Sequence, residues 1–244
     1  MNYLFHTAKQ SYEHFASGKV LYNAPGTTSF PVRLASEIVQ RCFHLLREKG
    51  VSGPYHLYDP CCGGGYMLTV IGLLHHDRIN RITASDQDQA MVKFAAQNLS
   101  LLRPDGLAKR KEQVRELFEL YQKPSHMEAL QSADYLMGLV EQSSALQLDC
   151  FQADSTVDNS RDERCRNAHI ILTDLPYGGI VDWISGSASP VHDFFESMHK
   201  IASPASTVLA VIADKSQSLR HPKFKRLQVQ KIGKRHFALF EPLA

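Results

Sequence analysis

"YDPCCGGGYMLTV", residues 58–70, sets an aspartate, two adjacent cysteines and three consecutive glycines ahead of an apolar run. Upstream, "HLYD" (56–59) has the make-up of a short strand; downstream, "GYMLTVIGLLHH" (65–76) continues as a helix. Glycines between a first strand and its helix let the backbone approach a ligand closely. The stretch therefore predicts an α/β fold with its ligand at the carboxyl end of the strand that Asp59 closes. Two ligand classes compete for such a turn. A dinucleotide fingerprint, GxGxxG, needs Gly63, Gly65 and a third glycine where Leu68 stands. A carboxylate four residues before the first glycine suits a positively charged ligand instead. S-adenosylmethionine (SAM) carries an ammonium group and a ribose diol, and satisfies both requirements.

Outward from this turn, strands and helices alternate. "RITASD" (81–86), "LDCFQAD" (148–154), "AHIILTD" (168–174) and "STVLAVIAD" (206–214) read as strands. "QAMVKFAAQNLSLL" (89–102) and "VHDFFESMHKIA" (191–202) read as helices, and the tail from 224 as a hairpin turning near Ile232 and Gly233. Residues 30–50 form an earlier helix, with Pro31 in its first turn and Gly50 past its end. The alternation implies a mostly parallel sheet with helices on both faces. Residues 103–147 interrupt it with two amphipathic helices, the first packing Leu107, Val114, Leu117, Phe118 and Tyr121. The second opens on a capping-box pattern, Ser125 to Glu128, and packs Met127, Leu130, Met137 and Val140. The whole of 1–244 reads as one domain, with an N-terminal extension and helix (1–50) and a helical insertion (103–147).

Asp59, Asp86, Asp154 and Asp174 each close a predicted strand. Asp86, 21 residues beyond Gly65, stands where an acid accepts hydrogen bonds from ribose hydroxyls; Asp154 stands where an acceptor reads the adenine amine. Any one of them alone is as well explained by a helix cap. Their recurrence at successive strand ends weakens that explanation. "TDLPYGG" (173–179) adds chemistry. A base or amide nitrogen is a poor nucleophile, because its lone pair is delocalised and it holds a proton. A carboxylate and a backbone carbonyl aimed at the N–H orient that lone pair and receive charge during methyl transfer. Pro176 stiffens the turn and leaves carbonyls facing inward, and Tyr177 can stack on a planar base.

Composition bounds the rest. The net charge of +2 indicates no partner by itself, but residues 214–244 hold eight Lys or Arg against Asp214 and Glu241, a candidate RNA-facing surface. Five cysteines with no CxxC pair favour neither a disulfide framework nor zinc. The twelve histidines show no HExxH spacing, so no metal centre is expected. The start lacks a signal-peptide stretch, and "LTVIGLL" is too short to span a bilayer; a cytoplasmic protein is expected. Trp183 is a candidate for stacking on an RNA base, against an equally good reading as a packed loop residue.

"DPCCGGGY" resembles the D-P-x-C-G-x-G signature of class I SAM-dependent methyltransferases acting on nitrogen, and "DLPYG" resembles their [DNS]-P-P-[YF] motif, with Leu175 in place of a proline. Together with "PGTTSFPVRLASEI" and the insertion, these motifs resemble the AviRa family of ribosomal RNA methyltransferases over most of the chain. The resemblance implies a Rossmann-like seven-stranded sheet whose seventh strand is antiparallel. It also implies methylation of one guanine, at N1, in 23S rRNA, associated with resistance to orthosomycins such as avilamycin. By the same resemblance Asp59, Cys61, Gly63, Gly65 and Tyr66 cradle the methionine part of SAM. Asp86 and Asp154 hold the ribose and face the adenine, Asp174, Leu175, Pro176 and Tyr177 hold the base, and Phe30 and Arg33 close the site. A monomer acting on rRNA or the large subunit is expected. The rival readings are a nitrogen methyltransferase for another RNA, a protein amide or a small molecule, a dinucleotide-dependent oxidoreductase, and a non-catalytic RNA-binding scaffold.

Overall fold

Seven strands form a single sheet: β1 (Tyr55–Asp59), β2 (Ile79–Asp86), β3 (Gln147–Gln152), β4 (Ile170–Asp174), β5 (Val208–Asp214), β6 (Phe224–Ile232) and β7 (Arg235–Pro242). Their order is β3-β2-β1-β4-β5-β7-β6. The first five run parallel, and β7 is antiparallel to both its neighbours. The structure is a computed structural model and describes residues 2–141, 146–176, 183 and 186–244. This is the seven-stranded, mostly parallel sheet with an antiparallel last strand expected from the sequence.

The chain order reverses between β1 and β4, the point where an open parallel sheet leaves a crevice outside its strand ends. Both neighbouring strands end in aspartate there, Asp59 and Asp174. Strands β1 and β5 are buried nearly throughout; β5 reads as a continuous apolar run up to Asp214, whereas β1 also buries His56 and Asp59.

Helices α1 (Val32–Glu48), α2 (Tyr66–Leu74), α3 (Gln89–Ser100) and α5 (Pro124–Val140) contribute to the core on one face. Helix α1 shows why: Leu34, Ala35, Ile38, Val39, Cys42, Phe43 and Leu46 recur at helical spacing and are all buried. On the other face α6 (Pro190–Ile201) packs Phe194, Phe195 and Met198 with Phe224 and Phe240. Burial of each such side chain contributes on the order of 2 kcal/mol.

The insertion is a helical hairpin of α4 (Pro104–Tyr121) and α5, and differs in two respects from its sequence reading. Ser125 does not cap α5; Lys123 is the N-cap without a side-chain bond, and Pro124 starts the helix with its fixed φ. The hairpin buries one side of α5 from Ala129 to Val140 but leaves much of its tip exposed. Leu107, Val114 and Val140 are buried, whereas Leu117, Tyr121 and Met127, expected to pack, are exposed at its tip.

The N-terminal extension is tied down by one acid. Glu37 is buried on α1, and its carboxylate accepts from the amides of Leu4, Phe5 and His6 at 2.8, 2.9 and 3.2 Å and from Arg41 at 2.8 Å. Burial pushes its pKa up, but these four donors outweigh burial and leave it below the usual carboxylate value.

Candidate active site

The glycine turn is held by backbone bonds and by three acids and amides around it. Asp59 Oδ1 accepts from the Cys61 amide at 3.0 Å. Asp86 accepts from Gly63 at 2.8 Å through Oδ2 and from Asp88 at 3.0 Å through Oδ1. Gly65 sits at φ +72° and caps α2; a Cβ there would lie 2.8 Å from the Ala95 Cα, so only glycine fits. Gly63, also at positive φ, has nothing within 4 Å of a built Cβ. Its exposed backbone faces open space, which is what close approach of a ligand requires.

Asn98 on α3, unremarked in the sequence, is the clamp. Fully buried, it donates to Gly64 O at 2.7 Å and Tyr22 O at 3.0 Å, and accepts from Tyr22 N at 2.8 Å. It thereby fastens segment 17–30 beside the glycine turn. The two walls enclose a cleft of about 240 Å³ at the carboxyl ends of β1, β2 and β4.

Most of the residues singled out in the sequence meet in this cleft. Asp59, Cys61, Gly63, Tyr66 and Asp86 line its β1–β2 side; Asp174, Leu175 and Pro176 line its β4 side; Phe30 and Trp183 complete the wall. Three do not line it. Gly65 acts behind the wall through its packing on Ala95. Asp154 lies two residues past the end of β3 and caps its own turn, accepting from Thr156 N and Oγ1 at 2.8 and 2.7 Å; Ser155 lines the cleft instead. Arg33 turns away, donating to His6 O and stacking 3.9 Å over the Tyr3 ring. Tyr177 lies outside the described residues.

The electrostatics are dominated by three buried carboxylates. Burial raises the Asp59 pKa to about 7, with Asp86 and Asp174 adding to the effect. Burial likewise raises Asp86, and raises Asp174 to about 6 against the opposing pull of Arg235. Three carboxylates held near one another are costly without a positive partner. The same burial pushes the Cys61 and Cys62 thiols far above their ordinary range, so neither supplies a thiolate at neutral pH.

Among the described residues Asp174 is held from one side: Arg235 on β7 donates to Oδ2 at 3.1 Å, while Oδ1 is buried with no hydrogen-bond partner among them. The Leu175 amide donates to Ile212 O at 2.9 Å, prolonging the β4–β5 ladder into the motif. Pro176 departs from the sequence reading: its carbonyl accepts from Gln217 at 2.8 Å, so it is engaged by protein rather than left facing the cleft. Gln217 carried no signal in the sequence, and Arg235 counted there only toward the basic, candidate RNA-facing tail, whereas the fold turns it onto Asp174.

The family model described as rRNA methyltransferase AviRa matches residues 1–235. The chain belongs to the AviRa family of rRNA methyltransferases. An AviRa-family relative from Streptomyces viridochromogenes, the 23S rRNA (guanine(2535)-N(1))-methyltransferase, is 42% identical over 233 residues, spanning 92% of this chain and 89% of its own. The solved structure of rRNA methyltransferase AviRa from that organism at 1.5 Å superposes with a TM-score of 0.86 at 36% identity, covering 99% of this chain and 96% of the other. TrmN from Thermus thermophilus, 16% identical with a TM-score of 0.50 over 88% of this chain and 50% of its own, shares the fold. The AviRa structure agrees over nearly the full length, so the helical insertion and the N-terminal extension fall within the match.

Proposed function

We propose that this protein transfers a methyl group from SAM to the ring N1 of one guanine in 23S rRNA. The relative's activity and the family support the substrate; the free, buried Oδ1 of Asp174 at the cleft is the observation that carries the chemistry. SAM fits the residues present: its ammonium and sulfonium charges suit three gathered carboxylates, and the open backbone at Gly63 leaves room beside them. When bound, it supplies an activated methyl group on a sulfonium.

The protein's own residues then do four things. Asp59, hydrogen-bonded to the Cys61 amide, would oppose the donor's positive charge, and Asp86, hydrogen-bonded to the Gly63 amide, would accept from its ribose hydroxyls. Phe30, Leu175 and Trp183 offer apolar wall to a planar base. Asp174 Oδ1 accepts the N1–H hydrogen bond of guanine, orienting the lone pair and taking the proton as the bond to carbon forms. Arg235 keeps Asp174 ionised despite its burial, so that the acceptor is a carboxylate at neutral pH. A base reaches the strand ends only when unstacked, and flipping costs a few kcal/mol, less in a loop than in a duplex.

Acting in the cytoplasm as a monomer, such an enzyme would protect ribosomes against orthosomycins. No helix among the described residues is long and apolar enough to cross a membrane. The test is methyl transfer from labelled SAM to large subunits and to free 23S rRNA. N1-methylguanine blocks the Watson–Crick edge, so a single reverse-transcription stop at one guanine is expected. Label in protein or a small molecule, with none in rRNA, refutes the reading.

A further inference from the structure

Away from the cleft, α6 and the connection from β5 to β6 gather three metal-ligating side chains. His192 and Glu196 lie four residues apart on α6, and so on one face; His221 comes from the segment ahead of β6. One ligand atom from each lies within 4.8 Å of the other two. None of the three borders the cleft.

His221 is the decisive member. Its side chain has no exposure to solvent, and its ring stacks on Phe195 with the planes 3° apart, which fixes its direction. Its Nε2 is buried and makes no hydrogen bond among the described residues, meeting Glu196 Oε1 only in an ion-pair contact at 3.2 Å. A buried imidazole nitrogen beside a carboxylate oxygen, out of line for a hydrogen bond, is what a shared third atom explains. In a tetrahedral zinc site with bonds of about 2.1 Å, ligand atoms stand ~3.4 Å apart. The His221–Glu196 pair already has that spacing. The His192 ring centre is 4.8 Å from that of His221, and its side chain is exposed.

The surroundings agree with this. Lys223 Nζ holds the other carboxylate oxygen, Glu196 Oε2, at 2.6 Å, and Asp193 Oδ1 lies 3.4 Å from His192 Nδ1. Metal-bound carboxylates and imidazoles regularly carry such outer partners. The remaining contact on His221, from the Lys223 amide to Nδ1, is long at 3.4 Å and easily surrendered.

We propose that His192, Glu196 and His221 form a zinc site, with water as fourth ligand. Two imidazoles and one carboxylate suit Zn²⁺ better than the oxygen-seeking Mg²⁺ or Ca²⁺. The ion's place suggests bracing rather than chemistry. Gln217, which holds the Pro176 carbonyl, lies four residues before His221, and α6 follows the motif loop in sequence. Zinc would therefore link α6 to the segment whose Gln217 holds the Pro176 carbonyl.

The test uses tag-free protein, stripped with a chelator and titrated with Zn²⁺ by calorimetry. One ion per chain is expected, with a rise in Tm. His192→Ala, at an exposed position where folding is not at stake, should weaken zinc affinity by at least about tenfold and remove the rise in Tm. Co²⁺ in place of zinc should give the visible ligand-field bands of a four-coordinate site in the wild type and lose them in His192→Ala. Absence of stoichiometric zinc binding, or binding that persists unchanged in His192→Ala, as it would at the cysteines, overturns the proposal.

Discussion

In the proposed mechanism Asp174 is the base, and two opposing influences meet on it. Burial raises its pKa, and the Arg235 guanidinium on Oδ2 pulls it back down while leaving Oδ1 to the proposed chemistry. Its pKa near 6 means that the active, ionised form accumulates as pH rises through that value and is lost below it. Arg235→Gln removes the influence that lowers this pKa, so the acid limb of the pH–rate profile should move to higher pH, by about one unit. SAM affinity should stay close to that of the wild type. A limb that stays in place while the rate falls at every pH would make Arg235 a purely structural residue.

At the scale of elements, the cleft depends on how firmly its walls are fastened. Asn98→Ala leaves Gly64 O and Tyr22 N and O without their buried partner, each a loss of about 1–3 kcal/mol where water cannot substitute. The expected outcome is a lower Tm and weaker SAM binding, measured by calorimetry, with kcat at saturating SAM largely retained. Wild-type SAM affinity in Asn98→Ala would show that segment 17–30 is not a working wall.

Much of this architecture was legible in sequence. Glycine spacing, aspartates at strand ends and the apolar period of α1 are local signals, and local signals survive without a fold. What was not legible is long-range: Asn98 meets Tyr22 across 76 residues, Arg235 meets Asp174 across 61, and Asp154 was read as a strand end although β3 stops at Gln152. The hairpin misled for the opposite reason. Helical period in Leu117, Tyr121 and Met127 signals an apolar stripe, but only the fold shows that nothing covers it at the tip.

For the whole molecule, charge and topology converge on one end of the sheet. The β6–β7 turn lies beside the carboxyl end of β5, since Arg235 pairs with Asp214 in register and reaches Asp174 from there. Lys231 and Lys234 of this turn are exposed at the end of the sheet that carries the cleft. Exposed lysines on an edge strand also discourage edge-to-edge pairing, so their presence alone does not prove RNA contact. The double change Lys231→Glu and Lys234→Glu separates the two roles. If they meet phosphate, rRNA affinity should fall and its log–log salt slope should flatten by about 0.7–0.9 per lost contact, with SAM binding unchanged. An unaltered slope would assign them to edge protection.

The central claim is that Asp174 receives the N1 proton of guanine while SAM delivers the methyl group. It is tested most directly by single-turnover methyl transfer from labelled SAM to 23S rRNA, with wild type and Asp174→Asn side by side. The claim predicts one modified guanine for the wild type, a rate lower by about 10²–10⁴ for Asp174→Asn, and SAM binding by the variant within a few-fold of normal. Full-rate transfer by Asp174→Asn, or a methyl group mapped to an atom other than guanine N1, would contradict it.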